Sequence, residues 1–251
     1  MAGTLITVPA FAGARDGVQH FFGTRHQATG VDSSGGSVTP GVPIGQDAAG
    51  GDRRSKNGPV EPAKRLVVVV SVRQVHGTDA LVLDRPLEAG ETFAGGWDAL
   101  MTNQSGVLLT IRTADCVPVL VHDPLRRVVA AVHAGWRGTV AGVVPKTLSL
   151  MRQRFGSEPA SLQIGIGPSV GPCCYEVAPD VAEPFRRAYG EDVVIDGRLD
   201  LWTSAERALR EAGCDEVERT DLCTFCHPEL FFSHRRDRGL TGRQGIVAYI
   251  T

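Results

Sequence analysis

Three side chains that could bind a transition metal lie at the ends of apparent strands. They are His76, Cys116 and His133. Two imidazoles and one thiolate suit a catalytic zinc ion, which takes three protein ligands and keeps a fourth position for water or substrate. The separations of 40 residues between the first two and 17 between the last two match no local zinc motif. Spacing alone therefore leaves open the alternative that Cys116 is a core cysteine and that both histidines are hydrogen-bonded structural residues.

The neighbours of these residues favour a site over simple packing. Gly77, Gly135 and Gly138 allow tight turns and close approach of the backbone beside both histidines. Strand ends are also where α/β proteins tend to bind ligands. We therefore predict one Zn²⁺ bound by the three side chains, with Cu²⁺ the less favoured ion. An open zinc position can lower the pKa of bound water or polarise a substrate atom.

The chain that must position these ligands has 251 residues, of which 26 are basic and 28 acidic. This charge balance argues against nucleic acid as a partner. The N-terminal residues lack the features of a signal peptide, and no segment reaches the ~20 apolar residues that cross a bilayer. We therefore expect a cytoplasmic protein without a membrane partner. In that reducing compartment the six cysteines are expected to bind metal, react or pack rather than form disulfides.

Apolar periodicity predicts a mixture of strands and helices. The predicted strands cover residues 66–70, 80–83, 99–102, 107–111, 117–121, 128–132, 162–166, 193–195 and 246–250. The predicted helices cover residues 139–155, 179–189 and 201–212, and Pro145 implies either a kink or a start nearer Val144. This order predicts a single α/β domain with a mixed sheet over residues 1–251. The Gly-, Ser- and Pro-rich residues 29–62 are predicted to form a flexible loop.

Several longer motifs surround the candidate ligands and follow them along the chain. They are Gln74-Val75-His76-Gly77, Thr113-Ala114-Asp115-Cys116-Val117-Pro118, His133-Ala134-Gly135-Trp136-Arg137-Gly138, the segment 166–177 with its Gly-Pro-Cys-Cys-Tyr, and Phe231-Phe232-Ser233-His234-Arg235-Arg236. In this order, and together with residues 20–25 and 241–243, they resemble the laccase-domain, or polyphenol-oxidase-like, family. The resemblance extends over nearly the whole chain.

The resemblance implies an α/β sandwich with a zinc bound by His76, Cys116 and His133, and activity on purine nucleosides. The implied reactions are phosphorolysis of inosine, adenosine and methylthioadenosine, and some deamination of adenosine. Bacterial relatives are also linked to the correction of peptidoglycan precursors. Phosphorolysis needs cationic groups for phosphate. The residues predicted to contact substrate are Gln74, Arg112, Arg137, His234, Arg235 and Arg243, and Asp115 is the predicted proton shuttle for deamination.

Other functions stay open beside the phosphorylase. A copper-dependent polyphenol oxidase is disfavoured, because multicopper oxidases need many His-x-His pairs and this chain has seven histidines and no such pair. A blue-copper centre would need an axial methionine, for which only Met101 and Met151 follow the initiator. A hydrolase that edits peptidoglycan precursors, with Cys116 as nucleophile and His133 as base, is an alternative. A non-catalytic metal- or partner-binding protein is another, and the chain could be a monomer or a homodimer.

A second cysteine pattern, Cys223-Thr224-Phe225-Cys226-His227, matches the attachment motif of c-type haem. Haem attachment takes place outside the cytoplasm, so haem is not predicted. A structural zinc would need a second pair of ligands. Cys173 and Cys174 supply that pair only if the fold brings them close, and incidental packing is the favoured interpretation.

Overall fold

The computed structural model describes Ile6, residues 18–25 and residues 68–250. Within these ranges the chain forms twelve strands and four α-helices. The strands are β1 (Val18–Phe22), β2 (Val68–Ser71), β3 (Ala80–Leu83), β4 (Ala99–Thr102), β5 (Val107–Thr113), β6 (Val117–Asp123), β7 (Val128–Ala134), β8 (Gln163–Ile166), β9 (Val194–Ile195), β10 (Arg198–Leu199), β11 (Glu216–Arg219) and β12 (Gln244–Ile250). The helices are α1 (Trp136–Val140), α2 (Val143–Phe155), α3 (Pro179–Tyr189) and α4 (Leu201–Glu211).

Two mixed sheets form the framework, which confirms the predicted α/β class. The larger sheet has the strand order β11-β8-β6-β7-β4-β3, with an antiparallel β6–β7 hairpin near its middle and parallel pairs at both edges. The smaller sheet has the order β1-β12-β5-β2, in which β2 and β5 are parallel. Consecutive strands β5 and β6 lie in different sheets. These two strands face each other across a core.

The six-stranded sheet is the middle of three layers. Successive residues of a strand point to opposite faces: Val119 of β6 packs in a cluster with Phe185 of α3, and Leu120 packs with Ile111 of the smaller sheet. All seven residues of β6 and all seven of β7 are consequently buried. Burial on both faces explains why residues 117–121 of β6 and 128–132 of β7 are apolar runs without alternation.

The helix predicted over residues 139–155 is divided in two. α1 ends at Val140 and α2 begins at Val143, because Gly142 between them adopts a left-handed φ of 83°. Pro145 then lies in the first turn of α2, where a backbone N–H has no intrahelical partner and proline is tolerated. The alternative of a helix start near Val144 is confirmed, and α3 and α4 match their predicted helices to within one residue.

Each predicted strand has a counterpart, but β1, β10 and β11 were not predicted. β11 (Glu-Val-Glu-Arg) is an edge strand with a single apolar residue, so hydrophobic periodicity carried no signal there. The predicted loop at residues 29–62 and the first two residues of the strand predicted at 66–70 lie outside the described residues. In the ranges that are described, no helix is long and apolar enough to span a bilayer.

Candidate metal centre

The three predicted ligands converge from separate parts of the chain. One ligand atom of each of His76, Cys116 and His133 lies within 4.8 Å of the others. Cys116 directly precedes β6 and His133 is the penultimate residue of β7. His133 pairs with Pro118, two residues after Cys116, so the register of β6 and β7 places the two ligands diagonally across the strand pair. His76 lies within the connection between β2 and β3. Its predicted place at a strand end is wrong, because β2 ends at Ser71 and an irregular segment carries the histidine to the site.

A fully buried carboxylate, Asp98, orients two of the three ligands. Its Oδ1 lies 2.8 Å from Nδ1 of His133, which leaves Nε2 of that ring for a metal. The same carboxylate accepts hydrogen bonds from the backbone N–H groups of Val75 at 3.2 Å, His76 at 2.9 Å and Gly77 at 2.6 Å. A carboxylate behind a ligating histidine fixes its tautomer and orientation. Asp98 was not among the predicted site residues, because its only signal in the sequence is its position directly before the buried strand β4.

Two residues of the site have a backbone conformation that is uncommon for side chains other than glycine. His76 has φ 60° and Asp115, directly before the ligand cysteine, has φ 89°. Such conformations cost about 1–3 kcal/mol each and persist only where neighbouring groups hold them. Asp98 holds the backbone of His76, while the Asp115 carboxylate accepts hydrogen bonds from the Thr224 hydroxyl and the Arg235 backbone N–H, both at 2.6 Å. Local strain therefore coincides with the ligand-bearing segments.

The predicted close approach of the backbone is confirmed at Gly135 and Gly138 but is wrong at Gly77, where an added Cβ would make only ordinary contacts of 3.5 Å. A Cβ added at Gly135 would lie 2.9 Å from Cδ2 of His76 and 3.0 Å from Sγ of Cys116. A Cβ at Gly138 would lie 2.9 Å from the carbonyl oxygen of Gly77. These distances are shorter than ordinary van der Waals contacts, so both positions exclude larger residues while the ligands stay in place.

Replacing Gly135 with alanine is expected to lower the zinc affinity of the centre about tenfold or more, because overpacking by one methyl group costs about 1–3 kcal/mol. The measurement is a zinc titration against a competing chelator. Gly77→Ala is the matched control, since its Cβ would meet Asp98 Oδ2 and Val75 Cγ2 at an ordinary 3.5 Å. Equal zinc affinity of the two variants would contradict the close approach at Gly135.

The electrostatics of the site favour a thiolate. Burial acts to raise the pKa of Cys116, but the hydrogen bonds and charges of His133 and His76 outweigh it and lower the pKa to about 6. Burial acts to lower the pKa of His133, whereas its bonds to Asp98 and Cys116 raise the pKa to about 9. Zinc binds the deprotonated form of cysteine. The surroundings of Cys116 thus stabilise the form that a metal requires.

The ligands open onto a cavity of about 1030 Å³. Every residue predicted to contact substrate lies in its wall, namely Gln74, Arg112, Arg137, His234, Arg235 and Arg243. With Arg73, the described lining holds five arginines and one carboxylate, that of Asp115. Aromatic rings complete the wall: the guanidinium of Arg137 lies 4.2 Å from the Trp136 ring, and that of Arg235 lies 5.1 Å from the Tyr175 ring. The cavity suits an anion beside a planar group.

Two of the lining residues hold the wall together. The amide of Gln74 donates to the carbonyl oxygen of Arg112 and accepts its N–H, both at 2.8 Å, and so ties the segment before His76 to β5. Both carboxylate oxygens of Asp115 accept hydrogen bonds from the loop that carries Thr224 and Arg235. These contacts indicate positioning roles. The assignment of Asp115 as a proton shuttle stays a prediction.

The fold also brings together four cysteines outside this centre. The Sγ atoms of Cys173, Cys174, Cys223 and Cys226 all lie within 4.8 Å of one another, close enough to share a metal ion. A structural metal at Cys223 and Cys226 requires a second pair of ligands, and the fold places Cys173 and Cys174 close enough to supply that pair. His227 is not one of the group, and its Nδ1 lies 3.2 Å from Oε1 of Glu229.

Known proteins are similar to this chain in both sequence and fold. Residues 59–251 match the family described as multi-copper polyphenol oxidoreductase laccase. A Geobacillus stearothermophilus protein named purine nucleoside phosphorylase YlmD is 35% identical over an alignment of 262 positions, gaps included, which covers 96% of this chain and 91% of that protein. A Streptomyces coelicolor purine nucleoside phosphorylase is 38% identical over 220 residues, covering 86% of each protein.

Solved structures agree with these matches. The crystal structure of YlmD from Geobacillus stearothermophilus superposes with a TM-score of 0.72 at 28% identity and covers 100% of this chain and 97% of that one. The crystal structure of the Bacillus licheniformis protein YfiH has a TM-score of 0.67 at 32% identity, over 73% of this chain and 74% of that one. The chain therefore belongs to the multi-copper polyphenol oxidoreductase laccase family, in which its relatives carry the name purine nucleoside phosphorylase.

Proposed function

We propose that this protein is a zinc-dependent purine nucleoside phosphorylase that acts on adenosine, inosine and methylthioadenosine, with adenosine deamination as a secondary activity. The observation that carries the proposal is a three-ligand centre, oriented by Asp98, at the wall of a cavity rich in arginine and aromatic rings. The names of its relatives point to the same reaction.

The ligand set fits zinc. Two imidazoles and a thiol lie close enough to share one ion, and Asp98 binds the far nitrogen of His133 as carboxylates do behind zinc-ligating histidines. Three protein ligands beside a cavity leave a fourth position accessible, which is typical of catalytic zinc. When bound, zinc would supply a Lewis acid that polarises a substrate atom.

The same residues suit copper less well. Met101 in β4 and Met151 in α2 are both fully buried in the cluster between the six-stranded sheet and the helices. Neither is among the described residues that line the cavity, so neither can serve as the weak axial ligand of a blue-copper centre. The family's description as a copper oxidoreductase therefore does not decide the metal of this chain.

The residues of the cavity wall would bind phosphate and the purine. In phosphorolysis a phosphate oxygen bonds to the anomeric carbon of the ribose as the bond from that carbon to the purine nitrogen breaks. Guanidinium groups of Arg112, Arg137 and Arg243 supply planar, fixed charges that match phosphate oxygens. The rings of Tyr175 and Phe232 offer surfaces against which a purine can stack. Holding both reactants in one cavity lowers the entropic part of the barrier.

Purified protein is expected to release hypoxanthine from inosine, and adenine from adenosine, only when phosphate is present. Replacing Arg137 with alanine is expected to raise KM for phosphate roughly 10- to 100-fold, with a smaller change for the nucleoside, because a charge-assisted hydrogen bond contributes about 1.5–3 kcal/mol. Chromatography of the released base at varied phosphate and varied nucleoside concentrations measures KM for each substrate.

Arg187→Ala is the matched control for Arg137→Ala. Arg187 is exposed on α3, and its ion pair with the exposed Glu183 at 3.5 Å contributes little. Its kinetic constants are expected to equal those of the unmodified protein. If folded, zinc-containing protein releases no base from any of the three nucleosides, the proposed function is rejected.

One observation favours a second candidate, a cysteine hydrolase that acts on peptidoglycan precursors. The contacts that run from Asp98 through His133 to Cys116 also suit an orienting acid, a base and a nucleophile. Chelation separates the two candidates, because removal of zinc abolishes the phosphorylase and spares a cysteine hydrolase. The readout for the hydrolase is cleavage of peptidoglycan precursors by the metal-free protein.

A further inference from the structure

We infer that this chain has a second metal site, in which Cys173, Cys174, Cys223 and Cys226 bind a single zinc ion. Their four Sγ atoms lie within 4.8 Å of one another. The set shares no residue with the centre of His76, Cys116 and His133. Four thiolates around one zinc leave no open position, so this site is structural rather than catalytic.

The sulfur spacing is that of a mononuclear site. A tetrahedral zinc with Zn–S bonds of about 2.3 Å separates its sulfur ligands by about 3.8 Å. The Sγ atom of Cys226 lies 3.4 Å from that of Cys174 and 3.6 Å from that of Cys173. A disulfide would join only two sulfurs, at about 2.05 Å. An iron–sulfur cluster would need room between the thiolates for several further atoms. One sulfur equally near two others fits a shared ion better than either alternative.

The backbone around the sulfurs supports thiolates. Cys223 and Cys226 have the C-x-x-C spacing common in structural zinc sites. The N–H of Gly171 donates a hydrogen bond of 3.2 Å to Sγ of Cys223, a contact that stabilises negative charge on sulfur. A Cβ at Gly171 would lie 2.6 Å from Cη2 of Trp202 and 3.3 Å from Sγ of Cys173. Only glycine therefore brings this donor so close to the cluster.

The site joins the two loops that form one wall of the cavity. These loops follow the parallel strands β8 and β11. Two backbone hydrogen bonds join them. The N–H of Ser169 donates to the carbonyl oxygen of Leu222 at 3.2 Å, and the N–H of Thr224 donates to the carbonyl oxygen of Ser169 at 2.9 Å. The first loop continues to Tyr175 and the second to Arg235, whose side chains meet in the cavity wall. A zinc held between the loops would fix this wall.

Metal analysis of the full chain, purified under reducing conditions, tests the site. The unmodified protein is expected to contain two zinc ions per chain. Cys116→Ala is expected to keep one of them, and Cys226→Ser, at an exposed position, is expected to keep the other. The double variant is expected to contain none. Cys214→Ala is the matched control: its thiol is buried outside both groups, and it should retain two.

Cobalt(II) gives a readout that does not depend on activity. Reconstituted into Cys116→Ala, cobalt is expected to show the sulfur-to-metal charge-transfer and tetrahedral ligand-field absorption of a four-thiolate site. The same spectrum should disappear when Cys226→Ser is added. A single zinc per chain that is lost entirely with Cys116→Ala would overturn the inference. So would iron in place of zinc, or a metal-free Cys174–Cys226 disulfide found by peptide mapping.

Discussion

If the proposed zinc centre is correct, Cys116→Ala is expected to lose that zinc and to lower kcat/KM for phosphorolysis by roughly a thousandfold or more, as enzymes do without an essential group. Alanine removes the only sulfur ligand, and two histidines alone hold zinc weakly. The thiol also carries the negative charge that offsets the ion, so its loss weakens binding beyond one missing bond. The measurements are zinc content and phosphate-dependent release of base from inosine.

Cys214→Ala is the matched control, because it makes the same substitution at a buried thiol away from the centre. It is expected to retain zinc and activity, and its thermal unfolding shows the effect of a lost buried thiol by itself. A Cys116→Ala protein that folds, lacks the zinc of this centre and still releases base at the normal rate would refute a metal-dependent reaction. One that keeps this zinc would show that Cys116 is not a ligand.

Asp98→Asn is expected to weaken zinc binding about 10- to 100-fold, the effect seen when the partner of a ligating histidine is changed. The amide keeps the size of the side chain, but it replaces an accepting oxygen by an NH₂ group that faces N–H donors. In the unmodified protein the carboxylate accepts hydrogen bonds from three partly buried backbone N–H groups and lies 2.8 Å from the buried His133 ring nitrogen, so at least one of these donors loses its partner. Each such loss costs about 1–3 kcal/mol of folding stability.

The measurement for Asp98→Asn is zinc affinity by chelator competition, taken well below the temperature of thermal unfolding. Affinity reports the orientation of the ligands, whereas unfolding reports the loss of buried hydrogen bonds. Asp84→Asn is the matched control, since Asp84 is partly exposed and its main partner is the exposed Arg154. If Asp98→Asn binds zinc as tightly as the unmodified protein does, Asp98 does not orient the centre.

The α/β class was predictable because several strands contain unbroken apolar runs. Residues 117–121 of β6 and 128–132 of β7 are such runs and predict buried strands, whereas the sandwich was implied by the family resemblance. The helix signals were local as well: Gly142 and Pro145 mark the break between α1 and α2. β11 was not predicted because an edge strand with three charged residues and one valine has no apolar periodicity.

The amino-acid sequence by itself determined the residue types of the site, the family motifs and the predicted zinc ligands. Only the tertiary structure decided which side chains meet. Asp98 reaches His133 through pairing across 35 residues, and the two cysteine pairs meet across about 50. Such contacts depend on strand register and sheet order, which are set by packing among distant segments. Local periodicity does not predict packing between distant segments. The orienting carboxylate and the four-cysteine cluster were therefore identified only from the tertiary structure.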